Sequence, residues 1–558
     1  MTNMKVIIIV FNLAILCCDS VRVSTGKGAI IGLDHLRSRH GKVIYSFTGV
    51  PYAQPPIGKL RFKEAQPLET WKVDLNATGP RPVCAQPIIF GEAKKGELNF
   101  IGQEDCLNLN IYTTSVNSSE KRPVMVFLHG GAYTFSSTRA EPEFLAEDVV
   151  LVDVGFRLNS LGFATTGDDV IPGNLGLKDV VLALKWIKEH IVRFGGDPNL
   201  VTVFGDSAGG AMTHLLLLSP LTRGLIHRGI SMSGTAHCPW AMMPQQLAID
   251  RTKALAVLCG CPREPSNELI ECLQEVPIRD LMEMYMKFQN AYGLPLTIFA
   301  PIVEEPSAKD PFLSSDPSYV QSEIPWITGI VSGEHLGYPI RFVSSVELKG
   351  LPLADEFDYF FSTWLHGFSI GRKQIPGVAQ QIKNYYFEGR PINTENIANM
   401  DHMLADGWFL KGLVESLSSY KGKKYVYYYD YLQSNATFSS IYGHGLIKGR
   451  SVSHGDGLLN LFPVSSSFPN RSMSQSDLDV SEKMIDLWTS FAKYGDPTSS
   501  KRTKTATINS TLWEPVEKNT TKNKYLEITA AGFTQKEDLL RDRVEFWKSL
   551  RISEMTHN

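Results

Sequence analysis

Val201-Thr202-Val203-Phe204 runs straight into Gly205-Asp206-Ser207-Ala208-Gly209-Gly210, and an apolar stretch continues from there to Leu218. A buried strand, a glycine-flanked serine and a helix in immediate succession constrain this chain more than any other feature in it. The turn has to reverse sharply, which strains the serine, and side chains beside it would collide with neighbouring elements. Glycine at positions 205 and 209 removes that collision. The helix beginning at Ala208 aims backbone N–H groups and its positive dipole end at the serine. The pattern implies an open α/β sheet with Ser207 presented at the end of an inner strand.

Other segments agree with a sheet flanked by helices. Val124-Met125-Val126-Phe127-Leu128 is a continuous apolar run, the mark of a strand covered on both faces. A helical stretch over 180–194 is stopped by Gly195-Gly196-Asp197-Pro198. Met484, Leu487, Trp488 and Phe491 recur at helical spacing ahead of Gly495, a fitting C-cap. No repeat, heptad run or low-complexity linker divides the chain. One large α/β domain over 21–558, with long insertions between its later elements, is expected.

A serine hydroxyl is a poor nucleophile at neutral pH and needs a base, and the oxyanion it generates needs donors. His129-Gly130-Gly131-Ala132 follows the 124–128 strand and matches a loop whose small residues let backbone N–H groups approach that charge. One such donor contributes about 3 to 4 kcal/mol of transition-state stabilisation. In this architecture the acid and the base follow the serine in that order. His214 and His227 follow Ser207 too closely to leave room for an acid element. His237, His335, His366, His402, His444, His454 and His557 stay open, His454 with a slight edge from its loop Ser453-His454-Gly455-Asp456-Gly457. The acid is undetermined at this level.

Residues 1–20 read as a secretory signal peptide: Lys5, an apolar run over 6–16, then Cys17, Cys18, Asp19 and Ser20. The run is shorter than the roughly 20 residues that cross a bilayer. Without a later span or lipid-anchor tail, the expectation is a secreted protein with no membrane anchor. The net charge of −3 gives no field to attract nucleic acid. Six cysteines then remain, an even number that suits disulfides in an exported chain and lacks zinc-knuckle spacing. Neither metal nor organic cofactor is expected. Sequons stand at Asn76, Asn117, Asn435, Asn470, Asn509 and Asn519. No sequence signal sets an oligomeric state.

Nearly the whole mature chain resembles the type-B carboxylesterase and cholinesterase family. The resemblance rests on Phe47-Thr48-Gly49-Val50-Pro51-Tyr52-Ala53, Leu60-Arg61-Phe62, 104–112 (Glu-Asp-Cys-Leu-Asn-Leu-Asn-Ile-Tyr), the His129 loop, Arg157-Leu158, 173–179 (Gly-Asn-Leu-Gly-Leu-Lys-Asp), the Gly205 turn, 230–234 (Ile-Ser-Met-Ser-Gly) and the His454 loop. It implies an α/β-hydrolase fold and a serine esterase acting on small carboxylic esters, with Ser207 as nucleophile, Glu334 as acid and His454 as base. It further implies oxyanion donors at Gly131, Ala132 and Ala208, with Gly130 shaping the loop. Disulfides Cys84–Cys106 and Cys261–Cys272 and ion pairs Arg61–Glu104 and Arg157–Asp179 follow from it, leaving Cys238 and Cys259 paired together or free. The chain departs from the pattern at His335, Gly155-Phe156, Asn159 and Gly457.

Within the family the look is of secreted insect carboxylesterases. An insect juvenile hormone esterase ranks lower, because that group usually has glutamine where Asp206 stands. A cholinesterase ranks lower still, because no tryptophan for choline stands between Cys84 and Cys106. A non-catalytic adhesion or binding relative would be expected to lose a triad residue and gain a membrane span. Neither holds here.

Overall fold

The computed structural model describes residues 20–552 apart from 89–99, 137–138, 291, 335–336, 369, 371–372, 394–395, 443–450, 500–511 and 518–523. The leader expected over 1–20 therefore lies outside the described residues, except that Ser20 opens the first strand. His335, His444, His557, Asn509 and Asn519 also lie outside them.

The strands are β1 (Ser20–Thr25), β2 (Gly28–Arg37), β3 (Val43–Pro51), β4 (Asn108–Thr113), β5 (Arg122–Leu128), β6 (Val150–Val154), β7 (Gly196–Asp206), β8 (Arg228–Met232), β9 (Trp326–Val331), β10 (Lys424–Asp430), β11 (Lys524–Thr529) and β12 (Gly532–Glu537). With the short strand Leu75–Asn76 beside β2, they form a 13-stranded sheet ordered β1-β2-β3-β4-β6-β5-β7-β8-β9-β10-β11-β12. Every pairing from β6 through to β11 is parallel. Both margins are antiparallel, apart from the short strand Leu75–Asn76, which pairs β2 in parallel.

Alternation along the inner strands explains why they read as unbroken apolar runs. Val124, Val126 and Leu128 of β5 point into one core, with Val201 and Val203 of β7. Met125 and Phe127, with Phe204, enter a second core on the opposite face. Helices α1 (Leu175–His190), α2 (Ala208–Leu218), α3 (Ala398–Ala405), α4 (Lys411–Ser419) and α6 (Arg541–Ser549) feed the first, and α5 (Gln475–Tyr494) the second. A sheet covered on both faces needs apolar residues at every position.

Boundaries differ from the sequence reading at α1, which begins at Leu175 and passes into a 3-10 turn at Ile191–Phe194. Asn174 takes a left-handed conformation (φ 51°) before it, and Gly176 packs where a Cβ would lie 2.5 Å from the Arg157 carbonyl oxygen. That glycine answers a close packing contact and does not break the helix. Gly195 and Gly495 end their helices at φ 79° and 71°, as expected.

Cys84–Cys106 and Cys261–Cys272 are both bonded, while Cys238 and Cys259 are free thiols. Arg61 makes a two-pronged ion pair with Glu104 at 2.6 and 2.7 Å. Arg157 does the same with the buried Asp179 at 2.8 and 2.6 Å. Glu104 is thus a scaffold residue. Among the described residues no helix is long and apolar enough to cross a membrane.

Candidate active site

Ser207 sits at φ 60°, ψ −124°, between the end of β7 and the first turn of α2. This conformation is costly for any residue with a side chain. It is held by the Ser207 N–H donating to the Met232 carbonyl at 2.8 Å. A Cβ at Gly205 would lie 2.4 Å from the Leu128 carbonyl oxygen, and one at Gly209 would lie 2.0 Å from it. Both glycines are therefore demanded by the close passage of β5, as the sequence suggested.

β5 and β7 are paired in parallel with Leu128 opposite Gly205, so the 129–132 loop and the serine turn leave the sheet side by side. Gly131 (φ 113°) and Ala132 (φ 52°) carry the loop through left-handed conformations. A Cβ at Gly131 would meet the Phe135 carbonyl oxygen at 1.9 Å. The N–H groups of Gly131, Ala132 and Ala208 donate to no other described residue. His129 stacks on Phe156 at 4.4 Å, and burial presses its pKa down to about 4. It stays neutral and shapes the loop.

Glu334 follows the end of β9 and is fully buried. One carboxylate oxygen accepts the Val331 N–H at 2.9 Å. The other is hydrogen-bonded to His454 Nδ1. That contact spans 120 residues of sequence. His454 Nε2, also buried, has no hydrogen-bond partner among the described residues, the Ser207 hydroxyl included. The structure thus brings Glu334 and His454 into contact. His366 and His402 are bound up elsewhere, His366 with the Ser362 carbonyl oxygen and His402 beside Asp406 and Arg543.

Three carboxylates bear on the His454 ring. Burial works to lower its pKa, but the charge and hydrogen bond of Glu334, then Asp206 and Asp456, outweigh that and leave it raised. Asp206 is pushed up to about 7, first by burial and then by Glu334 and Asp456, against the pull of His454. Asp456 also rises to about 7 through burial, while the Phe438 and Ser453 N–H groups and the Thr437 hydroxyl hold its carboxylate. It pins the loop that carries the histidine. Asp206 bears on His454 by charge, with no side-chain hydrogen bond of this kind among the described residues. Its sequence signal was its place next to the serine.

Two departures from the family pattern have local causes. Asn159 stands at φ 49°, a region that asparagine tolerates better than most residues with a side chain. Its amide donates to the Ala85 carbonyl at 2.9 Å. At Gly155 a Cβ would lie 2.7 Å from the Cys106 carbonyl oxygen, and the Gly155 carbonyl accepts the Tyr52 hydroxyl.

A doubly covered, mainly parallel sheet with a strained serine at a strand-to-helix turn defines an α/β-hydrolase. The model described as Carboxylesterase family matches residues 19–547, and the chain belongs to that family. It is 35% identical over 548 residues to a carboxylic ester hydrolase of Bombus ignitus, covering 96% of this chain and 94% of the relative. Venom carboxylesterase-6 of Apis mellifera is 34% identical over 549 residues, covering 96% and 95%. A crystal structure of juvenile hormone esterase from Manduca sexta, with OTFP covalently attached, superposes with a TM-score of 0.79 at 27% identity, covering 95% of this chain and 99% of that one. The protein is a carboxylic ester hydrolase, and the hormone-esterase and non-catalytic alternatives are not favoured.

Proposed function

We propose that Ser207, Glu334 and His454 form the catalytic triad of a secreted, glycosylated esterase that cleaves small carboxylic esters through an acyl-enzyme. The observation that carries this reading is the buried Glu334–His454 hydrogen bond, with Nε2 unbonded among the described residues. A buried nitrogen without a partner is costly unless a function claims it. Here Nε2 is the atom that takes the Ser207 proton as the hydroxyl attacks the ester carbonyl. The oxyanion is met by the N–H groups of Gly131, Ala132 and Ala208, Gly130 keeping the loop in shape. The alcohol leaves with a proton from His454. The same imidazole then activates water to release the acid. Glu334 keeps the proton on Nδ1 and stabilises the imidazolium. The covalent adduct on the Manduca sexta relative supports a nucleophilic route. Asn76, Asn117, Asn435 and Asn470 are all exposed, as glycan acceptors must be.

The test is labelling with an organophosphonate ester followed by peptide mass mapping. One label per chain on Ser207, with parallel loss of p-nitrophenyl butyrate hydrolysis, is the expected result. A label elsewhere, or hydrolysis that survives full labelling, defeats the triad.

The acidic surroundings of His454 add a pH prediction. The base works when neutral, and a raised imidazole pKa puts the acid limb of kcat/KM above the ordinary value of 6.5. A carboxylate favours the imidazolium, so Asp206→Asn lowers the His454 pKa and moves the limb to lower pH. Because these groups titrate together, the limb belongs to the cluster and not to one residue. A limb that stays put in the variant rules out the influence of Asp206.

A further inference from the structure

Between α3 and α4 the backbone makes a single π-helical turn, Asp406–Leu410, closed by the Lys411 N–H donating to the Asp406 carbonyl. Such turns are rare, and they recur at functional sites. This one is fully buried and fixed from several directions. Asp406 pairs with Arg543 of α6 and accepts the Tyr386 hydroxyl at 2.5 Å. Gly407 packs where a Cβ would lie 2.5 Å from the Trp364 ring. The Trp408 carbonyl accepts the Trp240 indole N–H at 2.9 Å. The Phe409 ring is thereby set 4.8 Å from the His454 imidazole, tilted by 43°, and 5.6 Å from the Trp240 ring.

The geometry points to Phe409 as a positioning residue for His454, a role that rests on His454 being the base. The hydrogen bond to Glu334 anchors one end of the imidazole, and nothing among the described residues bonds the other. A ring held at one nitrogen can swing about that contact. Phe409 lies against it and blocks the swing, so Nε2 stays where the serine and the leaving group need it. The ring also favours the imidazolium as it forms, since a cation within about 6 Å of an aromatic face is stabilised by the ring quadrupole. Arg543, through Asp406, braces the turn that presents Phe409. Among the described residues the other titratable groups bearing on the imidazole are Glu334, Asp206 and Asp456, none of which supplies a face.

Phe409→Leu keeps an apolar side chain but removes the flat face, and Phe409→Tyr keeps the face. Both are compared with wild type on p-nitrophenyl acetate, butyrate and hexanoate, with rates divided by the sites titrated with organophosphonate. Misplacing a catalytic group by about 1 Å costs on the order of 100-fold, so kcat of the leucine variant is expected to fall roughly 10- to 100-fold. The fall should be the same for all three esters, KM should change little, and the acid limb should move to lower pH. Phe409→Tyr should recover most of the wild-type kcat. An unchanged kcat per titrated site, or a loss confined to one acyl length, overturns the role and leaves Phe409 a pocket wall. Failure of the triad reading would look different, as wild-type turnover that survives in His454→Ala.

Discussion

Ser207→Ala is expected to lower kcat for p-nitrophenyl butyrate by about a million-fold while the protein melts at an unchanged temperature. The hydroxyl is the only atom the substitution removes. The main-chain hydrogen bond from residue 207 to Met232 and the glycine contacts around the turn involve no part of that side chain. Alanine is under the same strain as serine at φ 60°, so the turn is neither relieved nor worsened. Residual turnover of about 10³ to 10⁴ over water should remain, because donors and binding still act on an ester attacked by water. The measurement is a progress curve at enzyme concentrations high enough to see that residue, paired with a thermal melt. A variant within tenfold of wild type, folded equally well, would place the nucleophile elsewhere.

Glu334→Gln is expected to cost about 10⁴ in kcat with little change in KM, through the tautomer of His454. An amide can replace the carboxylate with almost no change in shape. Its oxygen can still accept the Val331 N–H, which turns its NH₂ towards His454 Nδ1. Nδ1 must then accept, so the ring proton moves to Nε2, the atom that has to be free to take the serine proton. The substitution also deletes the nearest negative charge. Since that charge raises the imidazole pKa, its removal lowers it, and the remaining activity should persist to lower pH than in wild type. Single-turnover acylation measured against pH tests both parts. Near-normal acylation in the variant would reduce Glu334 to a packing residue.

The elbow was legible because everything it needs lies in one continuous stretch, 201–218: a strand, two glycines forced by a close-passing backbone, and a helix. The covered strands were legible for the same reason, since burial on both faces writes itself into consecutive positions such as 124–128. The acid and the base were not, and only resemblance to a family selected Glu334 and His454 from many candidates. Their contact spans 120 residues, and no local pattern encodes a partner at that distance. Asp206 could be read as a position but not as a charge on His454, which depends on burial. Phe409 left no trace, because a π-turn has the composition of an ordinary apolar helix. The helix expected from residue 180 begins earlier, at Leu175, and takes in Gly176, which answers to the Arg157 carbonyl packed against it.

The distance between Glu334 and His454 also bears on when in its life the molecule can act. The serine turn and the donor loop are complete once the chain is made through β8, whose Met232 carbonyl holds the turn, and a ribosome supplies a chain from its amino end. The proposed base arrives only with the loop after β10, and Arg543, which pairs with Asp406 of the π-turn, is made later still. A growing or truncated chain thus carries a strained serine without the means to deprotonate it. On the proposed triad, turnover begins only once the 453–457 loop has docked against Glu334, so activity in a preparation counts only molecules folded at least that far.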